Sequence, residues 1–308
     1  MHLKVSHITH ILCFVLGCSF TLLLTSYDLK KEEFDNVFDR EEFQFVVVIL
    51  SSPENVIQRY AIRQTWLRDL NQRSSYMFVI GSLSFTPEQR KTILSEQSEH
   101  NDILLLPLHE SYQSLTRKLL AALVHVYQTY KFDFLLKTDD DTFVNLRMLN
   151  EAVLSVDKQK PIYWGYFNGR ASVFKKGKWK EDQWFLCDRY LPYALGGGYI
   201  LTYPAVQLIV DKAHVLSTYN SEDVSLGVWL SPYNISRIHD IRFDSGHVSR
   251  GCSNSHMVTH KQTPEHIRAL YASLSRSGVP CSVETKFTSP YEYDWTVPPS
   301  KCCLKSVI

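Results

Sequence analysis

The chain has 308 residues, 44% of them hydrophobic, and 33 Lys and Arg against 32 Asp and Glu leave a formal net charge of +1. That length and apolar content suffice for one large domain with a full core, and the balanced, scattered charge excludes an electrostatic nucleic-acid binder. Aromatic residues at 13% suit a core and a sugar-binding cleft equally.

The first predicted element is an uncharged apolar run from Ile8 to Leu24, between Lys4 and Asp28. As a helix rising 1.5 Å per residue it spans roughly 26 Å, close to the ~27 Å core of an early-secretory membrane. A cleaved signal peptide would carry a shorter apolar region, about 7–15 residues, with small residues before the cut. Thr25-Ser26-Tyr27 matches that poorly, so we expect an uncleaved signal-anchor at 8–24 behind a short cytoplasmic tail at 1–7. Charge leaves the orientation open, because Lys4 stands on one side and Lys30, Lys31 and Arg40 on the other. Residues 25–42 are acidic and aperiodic and read as a short stem, which leaves 43–308 as one catalytic-type domain, whose side of the membrane the cysteines and a glycosylation sequon decide.

Residues 44–50 form a continuous β-branched and aromatic run of the kind buried on both faces of a sheet. A helix is expected over 55–70, with Val56 and Tyr60, and Ile62 and Trp66, at i, i+4 spacing. Strands at 76–81, 103–106 and 134–138 then alternate with helices at 87–98 and 115–130. That rhythm predicts an α/β, doubly wound sheet. The second half is less regular: Tyr163-Trp164-Gly165-Tyr166, then Gly196-Gly197-Gly198, a helix near 204–215, and Glu222-Asp223 opening a helix through Leu230. The glycines either admit close backbone approach to a ligand or form an ordinary turn. The two acids complement a helix dipole whatever else they do.

The most informative feature is Asp139-Asp140-Asp141 at the end of the apolar run 132–138. Carboxylates about 5 Å apart repel by roughly 3 kcal/mol per pair at an effective dielectric near 20. A strand ending this way needs a cation or a shifted protonation. Asp139 and Asp141, two residues apart, can converge on one metal while Asp140 points elsewhere. The apolar lead-in places them at a strand's carboxyl end, where open α/β sheets bind ligands.

Seven cysteines occur, of which Cys13 and Cys18 fall within the apolar run; no CxxC or zinc-type Cys/His spacing is present. Asn234-Ile235-Ser236 is the single N-glycosylation sequon. Behind an anchor, disulfides and a glycan on Asn234 point to the secretory lumen.

Four segments resemble, in order, the β-1,3-galactosyltransferase family: 59–66 (Arg-Tyr-Ala-Ile-Arg-Gln-Thr-Trp), 137–143 around the acid triplet, 194–199 around the glycines, and 222–227 opened by Glu222-Asp223. The C-terminal segments 250–254, 258–262, 293–295 and 298–303 are similar to the members that build the glycosaminoglycan–protein linkage region. The resemblance implies a GT-A-type fold with a mixed sheet and an inverting, metal-dependent transfer of galactose from UDP-galactose. The implied acceptor is galactosyl-β-1,4-xylose on proteoglycan core proteins, and the implied location the Golgi membrane with the catalytic domain lumenal.

It implies further that Asp141 and His260 ligate Mn²⁺, with Asp139 as a further ligand and His256 as the fallback for His260. Mixed carboxylate, imidazole and phosphate ligands suit Mn²⁺ better than calcium. Ser51, Ser52, Arg63, Asp139, Asp140, Gly197 and Gly198 fall to the donor. Asp223 is the expected general base, with Glu222 as the alternative. Trp164 and Trp295 are expected to stack on acceptor sugars. The five cysteines beyond the anchor cannot all pair, and Cys252 with Cys281 is the expected bridge.

Two other readings stand beside this one. The first is a β-1,3-N-acetylglucosaminyl- or N-acetylgalactosaminyltransferase acting on another glycan. The second is a glycan-binding relative without turnover, against which Asp141, Asp223 and His260 all argue. A dehalogenase-type phosphatase wants Thr or Val where this chain has Phe143, and an EF-hand lacks its sixth-position glycine.

Overall fold

Val46 to Leu50 are apolar at every position, so both faces of the strand they form need cover. A computed structural model describes residues 40–303; the expected tail and anchor, and the stem up to residue 39, lie outside the described residues. Strand β1 (Glu42–Leu50) sits inside a seven-stranded sheet with β2 (Ser74–Gly81), β3 (Ile103–Leu106), β4 (Lys131–Asp139), β6 (Ile162–Asn168), β7 (Tyr193–Thr202) and β8 (Ser236–His239). Their order is β3-β2-β1-β4-β7-β6-β8. The first four run parallel, β7 is antiparallel to both β4 and β6, and β8 is parallel to β6. The sheet is therefore mixed.

Val46, Val48 and Leu50 pack into one hydrophobic cluster, while Phe45, Val47 and Ile49 pack into a second. The period-2 alternation of the strand thus feeds two cores, one on each face. Helix α3 (Leu115–Thr129) contributes Leu119, Leu123 and Val126 to the first core; α5 (Tyr203–Val210) and α6 (Glu222–Leu230) join it there. Helices α1 (Val56–Gln64), α4 (Leu146–Val153) and α7 (Pro264–Ser277) cover the second. Helix α2 (Pro87–His100) starts at a Thr86/Gln89 capping box and ends on Asn101 in the left-handed region.

The expected helix over 55–70 breaks at Thr65. Its hydroxyl turns back to the Ala61 carbonyl at 2.7 Å, and a 3-10 turn, Trp66–Asp69, follows. Tyr60, expected on the apolar face of that helix, is half exposed; Arg59, Ala61 and Ile62 are buried instead. The helix expected to reach 215 ends at Val210. Gly196–Gly198 lie within β7, not in a turn.

A second, three-stranded sheet pairs β10 (Val258–Thr259) with β5 (Phe143–Val144) and β9 (Phe243–Asp244), in the order β5-β10-β9. Cys252 is bonded to Cys281 and Cys302 to Cys303, leaving Cys187 free and exposed. Among the described residues, no helix is long and apolar enough to cross a membrane.

Candidate active site

Strand register assembles the site. Leu50 lies opposite Asp139 in the β1–β4 pair, so Ser51 and Asp140 emerge side by side from the same sheet edge. Thr138 lies opposite Gly198 in the β4–β7 pair, which carries Gly196 and Gly197 past Asp139. In the small sheet Thr259 lies opposite Phe143, and this delivers His260 to Asp141. The three acids then diverge. Asp139, Asp141 and His260 bring one ligand atom each within 4.8 Å of one another, whereas Asp140 Oδ2 accepts from Ser51 Oγ at 2.6 Å and Asn55 Nδ2 at 2.9 Å. Burial raises the Asp140 pKa to about 6 against those two hydrogen bonds.

The residues of the first cluster fit a divalent cation. His260 Nε2 stands 2.9 Å from Asp141 Oδ1 and 3.4 Å from Asp139 Oδ2. Asp141 Oδ1 and His260 Nε2 are both buried without a hydrogen-bond partner, an arrangement a bound cation satisfies. His260 Nδ1 is 2.8 Å from the Gly246 carbonyl; assigning the proton to Nδ1 from that bond leaves the Nε2 lone pair free for a metal. Two carboxylates and an imidazole suit Mn²⁺-like ions. With no cation present, burial opposes charge on His260, but Asp139 and Asp141 outweigh it and raise the ring's pKa to about 9. Gly197 makes room for the ring: a Cβ there would come within 2.3 Å of His260 Cγ.

Lys137 connects this cluster to the start of α6. It is fully buried; Nζ donates to Asp139 Oδ1 at 2.8 Å, to the Gly196 carbonyl at 2.6 Å, and to Glu222 Oε1. Desolvation disfavours its charge, but Asp139 and Glu222 overcome that and hold its pKa above the usual lysine range. Glu222 is thereby already matched. Asp223 keeps part of its surface open to the cleft. Its Oδ2 accepts from Gly196 N at 3.0 Å and its Oδ1 from Val224 N at 2.8 Å. Burial raises the pKa of both acids despite Lys137 nearby.

Two recesses meet at Asp139. One, about 430 Å³, is lined by Ser51, Ser52, Asn55, Asp140 and Asp141. The other, about 740 Å³, is lined by Gly196, Gly197, Glu222, Asp223, His260 and an aromatic wall of Phe174, Trp179 and Tyr193. Tyr112, Lys178 and Lys261 border both. Lys261 Nζ donates to Asp141 Oδ2 at 2.8 Å, partly offsetting the triplet's charge.

Several expected site residues stand elsewhere. Arg63 does not face the cleft: its guanidinium is held by Asp102 and Glu96, each at 2.7 Å, over the Phe78 ring. The anion that a buried arginine requires is supplied by protein carboxylates. Trp164 is a core residue, 2% exposed, donating from Nε1 to Asp240. Trp295 is stacked on Tyr293 with 3.8 Å between ring centroids and borders neither recess. Gly198 lies against Val258 and not the cleft. His256 is buried outside the cation cluster, and Asn234 is exposed between α6 and β8.

Sequence reasoning missed Lys137, Tyr112, Trp179 and Arg59. Arg59, fully buried, donates to Ser51 Oγ and the Ser52 carbonyl and so braces the end of β1. The basic and aromatic run Lys175-Lys176-Gly177-Lys178-Trp179 was the available signal for the cleft wall.

With this geometry in view, the galactosyltransferase family model matches residues 57–241. The chain is 40% identical to "Beta-1,3-galactosyltransferase 6" of Mus musculus over 266 residues, covering 84% of this chain and 82% of that protein. It is 31% identical over 201 residues to "UDP-GalNAc:beta-1,3-N-acetylgalactosaminyltransferase 2" of Xenopus laevis, covering 65% of this chain and 40% of that one. It is 27% identical over 250 residues to "Hydroxyproline O-galactosyltransferase GALT2" of Arabidopsis thaliana, covering 78% and 36%.

Proposed function

Because this chain belongs to the galactosyltransferase family, we propose that it transfers galactose from UDP-galactose to the galactose of galactosyl-β-1,4-xylose on proteoglycan core proteins, in β-1,3 linkage. The observation that carries this reading is the 40% identity to a β-1,3-galactosyltransferase across 82% of that relative. The cleft supports it, since a partly buried carboxylate, Asp223, and a cation-type cluster face one cavity.

In this reading Asp139, Asp141 and His260 would hold Mn²⁺. The ion, when bound, neutralises the charge that develops on the departing UDP. Ser51, Ser52 and Asp140 line the smaller recess and take the nucleoside. Asp223 accepts the proton of the acceptor's 3-hydroxyl as that oxygen bonds to the anomeric carbon. The carbon–phosphate-oxygen bond breaks on the opposite face, so an α-linked donor gives a β-linked product.

Lys137 keeps Glu222 occupied, which leaves Asp223 as the base. Burial raises the affinity of Asp223 for that proton. Trp179, braced by Phe174 at 5.5 Å and His247 at 5.3 Å, takes the sugar-stacking place first expected of Trp164 and Trp295. The apolar run 8–24 and the disulfides favour a Golgi membrane protein whose catalytic domain faces the lumen.

The test is the purified full-length protein incubated with UDP-galactose, UDP-N-acetylgalactosamine and UDP-N-acetylglucosamine, against a panel of acceptor disaccharides, with and without Mn²⁺. Galactosylation of galactosyl-β-1,4-xyloside that requires Mn²⁺ is the expected outcome. Transfer only to another acceptor removes the substrate assignment.

A further inference from the structure

The larger recess does not end at the sugar-binding wall. Asn168 and Ala171 also line a third cavity of about 520 Å³, bordered by Arg170, Arg189, Tyr291 and Ser300. None of its lining residues belongs to the smaller, nucleoside-side recess. It is therefore an extension of the acceptor side alone. An acceptor with its reacting hydroxyl at Asp223 can extend past Asn168 and Ala171 into this cavity.

Two arginines, Arg170 partly buried and Arg189 exposed, border the cavity. Arg189 Nη1 donates to the Arg170 carbonyl at 2.6 Å, and Arg170 N donates to Asn168 Oδ1 at 3.0 Å. The two arms of the segment are held by a Ser172–Arg189 bridge and by Tyr190 N donating to the Ala171 carbonyl at 3.0 Å. Among the described residues, no carboxylate pairs with either guanidinium. Residues 170–189 carry six basic residues against three acidic ones. Of those three acids, Asp182 pairs with Lys180 at 2.9 Å, Glu181 is buried, accepting from Asn220 N and Gln183 N, and Asp188 is exposed. Two guanidinium groups on the wall of one cavity favour an anion there, and their planar donor forks match carboxylates.

We propose that this arginine-lined recess binds acidic side chains of the acceptor polypeptide, so that the protein selects glycosylated sites flanked by Asp or Glu. The proposal rests on the acceptor being a glycan on a polypeptide, as proposed above. It adds a subsite for the polypeptide itself.

The test uses the full-length protein and three ligands: galactosyl-xylosyl peptide with Glu residues beside the glycosylated Ser, the same peptide with Gln in their place, and the methyl glycoside. Binding is measured by calorimetry and transfer by initial rates. The Glu peptide is expected to show a Kd and KM about tenfold below the Gln peptide, an advantage that shrinks as salt screens it. Arg170→Ala and Arg189→Ala should each remove most of that advantage, and Arg189→Lys should keep part. The Gln-peptide values, the UDP-galactose KM and the melting temperature should stay as in wild type, and Lys91→Ala, at an exposed lysine of α2 outside all three cavities, should change nothing.

Equal affinity of the wild type for both peptides overturns the proposal, as does an equal loss for both in the arginine variants. If nothing is transferred to any ligand but the arginine-dependent preference persists in calorimetry, the catalytic reading falls and this subsite stands. Transfer without the preference removes the subsite and leaves the catalytic reading in place.

Discussion

Glu222 and Asp223 are adjacent, both acidic and both raised in pKa by burial, yet their partners differ. Glu222 shares Lys137 with Asp139, whereas Asp223 touches only backbone amides. We expect Asp223→Asn to lower kcat by about 10³-fold, within the range of general-base deletions, with the Kd for UDP unchanged. Activity within a few fold of wild type would assign the base elsewhere. Because the base must be ionised and its pKa is raised, kcat should fall as pH drops through that raised value.

Gly197 offers a second check on the site. A methyl group 2.3 Å from the His260 ring must displace it, so Gly197→Ala should weaken Mn²⁺ affinity tenfold or more while far-ultraviolet circular dichroism stays unchanged. Unaltered Mn²⁺ affinity would place His260 outside the cation shell. The acid triplet was legible from sequence because like charges at a strand end demand an explanation. Trp164 and Trp295 were not, because an indole serves a core and a sugar face equally well, and only the fold decides which it meets.

At the scale of elements, α1, α2 and the entry to β3 are joined by a buried ionic knot of Arg59, Arg63, Glu96 and Asp102. Removing one partner of a buried pair typically costs about 3–5 kcal/mol, because the remaining charge is left uncompensated. Arg63→Ala should therefore lower the denaturant midpoint substantially, while the folded fraction keeps its KM for UDP-galactose. A specific rise in that KM would return Arg63 to the donor site.

The sequence pattern revealed that a helix lay here, and the resemblance assigned its Arg63 to the donor. It could not show the partners, since Glu96 is 33 residues further on and sits on a helix with no clear apolar face of its own. The βαβα rhythm was readable for β1 to β4, whose runs are apolar on both faces. It was not readable for β8, β9 and β10. Segments of two to four residues take their conformation from the strands they pair with.

Over the whole molecule, the cation cluster joins residues 119 apart, Asp141 and His260. Without a cation, the His260 pKa stands at about 9, against an ordinary value of 6.5. The charged ring therefore stabilises the cation-free fold fully below pH 6.5, and that contribution disappears as pH climbs through about 9. Cation binding requires the neutral ring, so Mn²⁺ affinity should rise over the same interval. Chelator-treated protein should melt at a lower temperature at pH 9.5 than at pH 7, and the Mn²⁺ Kd should tighten from pH 6.5 to 8. His260→Asn should flatten both trends; a wild-type melting temperature independent of pH would remove this account of the ring.

The miniature sheet β5-β10-β9 has a consequence for biosynthesis. β1 to β4 and their helices are complete by residue 139, long before the ribosome has made residue 260. A nascent chain can thus build half of the central sheet while the acid triplet still lacks its imidazole. A product that stops short by some fifty residues would lack His260, the imidazole of the cation-type cluster. Closure of that cluster therefore waits on one of the last strands in the sequence, the two residues of β10 that pair with Phe143 and Val144.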